Sequence, residues 1–264
     1  MPSTLFTPAR REFLMQPSKY SPQRDAVAGY FVSEKLEGVR AFWDGGLSRG
    51  RLTTSIPYAS KLNPRTRELK KRLRPVATGL WTADAMPITA PEGFLNQLPC
   101  MPLDGTLWAG RGTAKRVKAL CLREQPDKSW EDIEYAVFGS PPLNKVFQDG
   151  LVINSSTLLT LNEHKIQDWF DRLDAGVLED YLYFDTNEEH MPFEREMALL
   201  RNLLPADGNV YLAGHRKLPI NIGTATAALV EIYMKTITSG GAGLLLRQPE
   251  SIWEPCRTRS FLTY

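Results

Sequence analysis

The chain has 264 residues, of which 42% are hydrophobic and 23% are charged. These values are those of a folded globular protein and exclude a disordered, collagen-like or coiled-coil chain. The formal net charge of +2 is too small to indicate a nucleic-acid partner by itself. No apolar run approaches the roughly 18 residues that span a bilayer, so we expect a cytoplasmic protein with no membrane partner.

The first predicted elements surround Lys35. Residues 30–43 alternate apolar and polar side chains on both sides of Glu37 and Gly38, which predicts a β-hairpin with Lys35 at its bend. Residues 48–78 form a basic segment that prolines interrupt. They predict an exposed insertion that is helical in part between Pro64 and Pro75.

The remaining elements mix strands and helices. Short runs rich in β-branched and aromatic residues predict strands at 103–108, 133–138, 209–213 and 243–247. Apolar residues three or four positions apart predict helices at 163–173, 193–204 and 225–238. Because these elements follow no regular βαβ rhythm, we expect an α+β fold of antiparallel sheets flanked by helices. The cysteines and histidines are few and scattered, so we expect no structural metal.

Several short segments resemble, in the same order, the motifs of one enzyme family. The segment S-E-K-L-E-G-V-R at 33–40 is similar to K-x-D-G-x-R, the first motif of covalent nucleotidyltransferases. P-L-D-G-T-L-W-A-G-R-G at 102–112 is similar to L-D-G-E-L-W-x-G-R-G, and Y-A-V-F-G at 135–139 to a motif that ends in V-F-D. G-G-A-G-L-L-L-R at 240–247 is similar to G-G-E-G-L-M-L-R. The chain therefore resembles the adenylation domain of small bacterial and phage ATP-dependent DNA ligases.

The resemblance implies a nucleotidyltransferase (ATP-grasp-like) domain at 29–264, preceded by an N-terminal extension at 1–28 and carrying the basic insertion at about 48–78. In that family the lysine attacks the α-phosphate of ATP and becomes lysyl-AMP. The resemblance implies that Lys35, Arg40 and Glu37 are the catalytic positions. It also implies the nucleotide contacts Lys35, Glu34, Asp104, Phe138 and Arg247, with Phe138 as an adenine-stacking face. The family continues into an OB-fold domain, which we expect this chain to lack.

The motifs depart from the family pattern where phosphoryl chemistry needs charge. The glutamates of L-D-G-E and G-G-E-G are Thr106 and Ala242, and the aspartate of the first motif is Glu37. The segment T-G-L-W-T-A-D-A at 78–85 has Ala83 where the family has arginine, and R-S-F-L-T-Y at 259–264 has Thr263 where it has L-L-K. Because phosphoryl transfer depends on metal ions and cations that neutralise the phosphates, we expect impaired catalysis and no Mg²⁺ site.

The sequence leaves the function open between several hypotheses. The favoured one is a phage-derived, catalytically impaired domain that keeps ATP or AMP as a candidate ligand and binds double-stranded or nicked DNA, or a phage or host protein. One alternative is an active ligase or nucleotidyltransferase in which Glu37, Asp104 and Asp84 replace the missing carboxylates. A second is a protein-binding scaffold or virion-associated component. Lys35 could also be a solvated lysine, and Phe138 a packing residue.

A basic surface is the candidate DNA contact. Lysines and arginines that can follow a phosphate backbone are concentrated in the insertion and its flanks. A solvated charged helix without a partner is the other interpretation of the same residues. The predicted DNA-binding residues are Arg49, Arg51, Lys61, Arg65, Arg67, Lys70, Lys71, Arg72, Arg74, Arg111 and Lys115.

Overall fold

The computed structural model describes residues 13–53, 56, 76–142, 145–146, 190–204 and 208–264. The strands in these ranges are β1 (Gln16–Lys19), β2 (Phe31–Glu34), β3 (Val39–Asp44), β4 (Leu80–Thr82), β5 (Pro102–Trp108), β6 (Glu134–Gly139), β7 (Val210–Leu212), β8 (His215–Lys217), β9 (Leu244–Arg247) and β10 (Arg257–Thr263). The α-helices are α1 (Glu92–Leu95), α2 (Ala114–Cys121), α3 (Phe193–Leu203) and α4 (Ile222–Thr238), and a 3-10 turn spans Lys128–Trp130.

The strands form two five-stranded sheets. The first sheet has the order β1-β10-β9-β2-β8, and the second has the order β4-β3-β5-β6-β7. All neighbouring strands are antiparallel except β1 with β10 and β6 with β7. The predicted α+β fold of largely antiparallel sheets is therefore confirmed. No helix in the described ranges is long and apolar enough to cross a bilayer.

The hairpin predicted at 30–43 is wrong, although both of its strands exist. Strand β2 pairs with β8 and β9, whereas β3 pairs with β4 and β5 in the other sheet. Residues 35–38 therefore carry the chain from one sheet to the other. Alternating side chains show that a segment has a buried and an exposed face, but they do not show which strand it pairs with.

Most other predicted elements in the described ranges are confirmed with small shifts of their ends. The four predicted strands correspond to β5, β6, β7 and β9, and two of the predicted helices correspond to α3 and α4. Strands β1, β4, β8 and β10 and helices α1 and α2 were not predicted. The helix predicted at 163–173 and the helical part of the insertion, between Pro64 and Pro75, lie outside the described residues.

The two faces of the first sheet have different neighbours. On one face, Val32, Leu244, Leu246 and Leu262 form a core with side chains of α4. Because side chains alternate along a strand, their neighbours on β2, β9 and β10 point the opposite way. That opposite face turns toward the second sheet, and the space between them is the cleft in which the candidate site lies.

Candidate functional site

Lys35 lies where the chain leaves the first sheet. It follows β2 directly, and its main-chain N–H donates to the carbonyl oxygen of Gly243 at 2.9 Å. Alternation along β2 places Lys35 on the same face as Phe31 and Ser33, which line the cleft. The Lys35 side chain is exposed. The predicted nucleophile thus directly follows a strand that lines the cleft, and its side chain is open to solvent.

Glu34 is held by an arginine from the second sheet. Arg111 follows β5 and donates to both Glu34 carboxylate oxygens, from Nη2 at 2.8 and 2.9 Å and from Nε at 3.0 Å. Its Nη1 donates to the carbonyl oxygen of Ser239 at 2.8 Å. The hydrogen bond to Glu34 raises the pKa of Arg111. Glu34 was predicted to contact nucleotide and Arg111 to contact DNA, and the structure brings the two together as a bridge between the sheets beside Lys35.

Arg40 and Asp104 form a partly buried, bidentate ion pair. Arg40 Nε donates to Asp104 Oδ1 at 3.0 Å and Nη2 donates to Oδ2 at 2.6 Å, with the Asp104 side chain 3% exposed. Nη2 also donates to the carbonyl oxygen of Met15 at 2.8 Å. Asp104 therefore balances the charge of Arg40 through two hydrogen bonds. The structure therefore brings these two predicted site residues into contact, and each supplies the charge and hydrogen bonds that the other needs.

Two of the substituted motif positions, Thr106 and Thr263, lie on the cleft side. Thr106 pairs in register with Arg40, so their side chains share one face of the second sheet. Thr263 pairs in register with Leu245 of the cleft. Neither side chain carries a charge that could hold a metal or a phosphate. The structure therefore places neutral side chains on the faces where the family motifs carry acid and lysine.

The acids of the described motif segments do not gather into one cluster. No group of three histidine, cysteine, aspartate or glutamate side chains is close enough to hold one within these ranges. Asp104 is paired with Arg40, and Glu34 is paired with Arg111. Glu37 and Asp84 are exposed. Those two are the acids of the motif segments that remain open to a ligand.

The cleft between the sheets is narrow at the predicted adenine position. Phe138 and Leu245 line it from opposite sheets, but the cavity there is only about 20 Å³. That volume holds about one water molecule. The full lining is Phe31, Ser33, Phe138, Phe193, His215, Leu245, Arg247 and Phe261. Phe138 also lies under the Arg40 guanidinium, at 5.5 Å from ring centre to Cζ.

Arg247 is buried at this cavity. Its Cζ lies 4.9 Å from the ring centre of Phe193 and 5.4 Å from that of Phe261. Nε donates to Ser251 Oγ at 2.7 Å, whereas Nη2 has no hydrogen-bond partner within the described residues. Burial lowers the pKa of Arg247 to about 10, and the nearby Glu196 opposes that shift. The predicted nucleotide contact therefore sits at the cleft but is enclosed by aromatic rings.

Two residues near the cleft are candidates for a functional role that the sequence motifs did not indicate. Glu196 is buried in α3, accepts a hydrogen bond from the main-chain N–H of Ser140, and has its pKa raised by burial to about 7. A signal existed, because Glu196 follows the apolar spacing of Phe193, Met197 and Leu200. His215 also lines the cleft. No local pattern marks it, since its position depends on the crossing from β7 to β8.

Both ring nitrogens of His215 lie within hydrogen-bond distance of a polar atom. Its Nδ1 lies 3.1 Å from the carbonyl oxygen of Ala213, which can only accept, so Nδ1 carries the proton. Its Nε2 lies 3.2 Å from Arg201 Nη2, which can only donate. The centre of the His215 ring lies 5.4 Å from that of Phe31.

The described part of the predicted DNA surface is divided between two places. Arg49 and Arg51 follow β3, and Arg49 is bound to Glu92 and Asn96 of the α1 region. Arg111 and Lys115 follow β5, which runs antiparallel to β3, so they lie at the other end of the second sheet. The six residues of β3 separate these ends by roughly 20 Å. The other predicted DNA contacts, Lys61, Arg65, Arg67, Lys70, Lys71, Arg72 and Arg74, lie outside the described residues.

Comparison with known proteins identifies the fold. No protein-family model matches the sequence, and no curated protein matches it. Among solved structures, a Lig E DNA ligase superposes with a TM-score of 0.59 at 21% identity, over 95% of this chain and 67% of that one. The ATP-dependent DNA ligase of bacteriophage T7, solved with ATP, superposes with a TM-score of 0.50 at 12% identity, over the same shares of the two chains. This chain thus spans about two thirds of either ligase, and its fold is that of the adenylation domain of ATP-dependent DNA ligases.

Proposed function

We propose that this chain is a phage-derived, ligase-type adenylation domain in which nucleotidyl transfer is impaired and which acts as a DNA-binding module. The observation that carries the first half is the lack of a free acid among the described residues of the cleft face. Thr106 stands in register with Arg40, and Asp104 is bound bidentately to Arg40 instead of facing a ligand. An amine attacks the α-phosphate of ATP only when cations neutralise the triphosphate, and the acid on this face, Asp104, is already paired with Arg40.

The narrow cleft supports the same conclusion. A cavity of about 20 Å³ between Phe138 and Leu245 has to widen before a purine can enter. Widening separates apolar and aromatic side chains that are in contact, which costs free energy that nucleotide binding must supply. ATP or AMP is therefore a weak ligand in this proposal.

DNA binding is supported by similarity of fold and by uncompensated charge. The solved relative is described in connection with DNA binding by Lig E DNA ligases on a minimal scaffold. In this chain Lys115 and Lys118 project from the exposed face of α2, and neither forms an ion pair with a described residue. The basic insertion adds further cations. Such side chains bind phosphates without reading sequence.

Labelling with ATP tests the loss of catalysis. The purified chain is incubated with α-labelled ATP and magnesium, and acid-stable label on the protein is counted beside the Lys35→Ala variant. We expect both proteins to remain close to background. Stoichiometric labelling that disappears in Lys35→Ala would overturn the proposal.

A salt titration of DNA affinity tests the proposal that this chain binds DNA. Fluorescence anisotropy with a nicked duplex measures the dissociation constant at several salt concentrations. The logarithm of affinity should fall with the logarithm of salt concentration by about 0.9 per phosphate contact, and Lys115→Gln with Lys118→Gln should reduce that slope by up to about two. Absent binding, or binding that salt does not weaken, would instead favour a protein-binding scaffold.

A working nucleotidyltransferase is the second candidate, and the position of Lys35 favours it. The lysine is retained on the cleft face, and its backbone is fixed by Gly243. Glu37 and Asp84 are the exposed acids that could recruit a metal in that case. Labelling that is lost in Lys35→Ala and reduced in Glu37→Gln would establish this alternative.

A further inference from the structure

The outward face of α4 carries several exposed apolar side chains. Helix α4 packs Ala225, Leu229 and Thr236 toward the first sheet. On its outer side Val230, Met234 and Ile237 are 44%, 57% and 41% exposed. Positions 230, 234 and 237 follow one another at helical spacing and form a continuous stripe. We call Val230, Met234 and Ile237 the α4 stripe.

Two opposite charges flank the α4 stripe. Glu231 and Lys235 are the charged residues of α4, and both are exposed. They lie one turn apart on the same side of the stripe, as 100° per residue requires. Neither makes an ion pair with a described residue, and they do not pair with each other. The surface therefore offers an apolar strip with an unpaired acid and an unpaired base beside it.

We propose that the α4 stripe binds the α4 stripe of a second copy of this chain, in an antiparallel, two-fold symmetric pair. A two-fold axis at the level of Tyr233 brings Glu231 of each copy opposite Lys235 of the other. The same operation brings Met234 against its own counterpart and Val230 close to Ile237. Two-fold interfaces require this kind of self-complementarity, in which residue i meets j and j meets i.

The flanking charges select a second copy over an unrelated helix. In an antiparallel helix pair, a flank of one helix faces the same flank of its partner. An acid and a base placed symmetrically about the axis then form two intermolecular ion pairs. A helix of another protein would need matching charges of its own, whereas the chain already supplies both.

The size of the contact predicts a weak dimer. Three apolar side chains from each copy bury far less than the roughly 1,200–2,000 Å² of a standard stable interface. Ile220 and Ile222 are also exposed, but Ile222 lies about 16 Å along the axis from Tyr233, by 1.5 Å per residue. The α4 helix of the second copy ends before that point. We therefore expect association that depends on concentration.

Sedimentation equilibrium of the full chain over a wide concentration range tests this pairing. The wild type should show a monomer–dimer equilibrium. Glu231→Lys brings lysines against Lys235 at both symmetric contacts and should weaken the dimer about tenfold. The double variant Glu231→Lys with Lys235→Glu restores opposite charges across the axis and should return the dissociation constant to near the wild-type value.

Two controls keep the result specific. Glu250→Lys makes the same change of net charge at an exposed residue away from α4 and should leave the dimer unchanged. Thermal unfolding of each variant reports whether α4 remains folded. A wild type that stays monomeric throughout the range would overturn the proposal, as would a dimer that Glu231→Lys leaves intact or that the double variant fails to restore.

Discussion

A single buried carboxyl group gives the clearest residue-scale prediction. Burial raises the pKa of Glu196 from its ordinary value of 4.5 to about 7. Between these pH values the folded state keeps a proton that the unfolded state has lost. The free energy of unfolding should therefore fall as the pH rises from 4.5 to 7 and level off above 7, by about 3 kcal/mol in total.

The Glu196→Gln variant isolates this contribution. Glutamine keeps an oxygen that can accept from the main-chain N–H of Ser140 but does not titrate. Urea unfolding of both proteins across this pH range should give a difference in unfolding free energy that changes by about 3 kcal/mol in favour of the variant as the pH rises. Two parallel pH profiles would show that folding does not raise the pKa of Glu196.

At the scale of the elements, the crossing from β2 to β3 depends on Gly38. A Cβ at this position would overlap the carbonyl oxygen of Leu107 and lie 2.7 Å from Thr106 Cγ2. Both neighbours belong to β5, which cannot move without breaking its pairing with β3 and β6. We expect Gly38→Ala to lower the free energy of unfolding by about 1–3 kcal/mol, as overpacking does.

The helical Gly93 supplies the matched control. It lies in α1, and a Cβ there would meet nothing within 4 Å. Because alanine is favoured over glycine in helices by up to about 1 kcal/mol, Gly93→Ala should leave the protein as stable as the wild type or slightly more stable. Urea denaturation compares the two variants. Equal effects would mean that the crossing tolerates a side chain.

At the scale of the whole molecule, the Glu34–Arg111 ion pair joins the two sheets beside Lys35. Replacing Arg111 with glutamine should loosen the end of β2, where the Lys35 N–H is bonded to Gly243. Hydrogen exchange followed by mass spectrometry should then show faster exchange in the peptide covering residues 33–38. Arg123→Gln breaks an ion pair of comparable exposure with Asp127, far from the crossing, and should leave that peptide unchanged. Equal exchange in both variants would mean that other contacts hold the sheets together.

Local patterns predicted much of the fold and only part of the site. Strands such as β5 and helices such as α4 were predictable because their side chains repeat with the period of the element. Strand β8 consists of His215, Arg216 and Lys217, and no apolar alternation marks it. Its position depends on pairing with β2, which lies almost two hundred residues away along the chain. The hairpin prediction was wrong for the same reason, because the partner of a strand depends on contacts across the whole sheet.

The sequence by itself determined which side chains the cleft can use. The sequence shows directly that Lys35 is present and that positions 106 and 242 carry no acid. These residue identities do not depend on the fold. Only the tertiary structure decided that Asp104 is committed to Arg40, that Glu34 is committed to Arg111, and that Glu196 lies buried near Arg247. Those pairings join residues from separate strands, helices and sheets. Their distances and burial, which set charge and pKa, exist only once the two sheets have packed together.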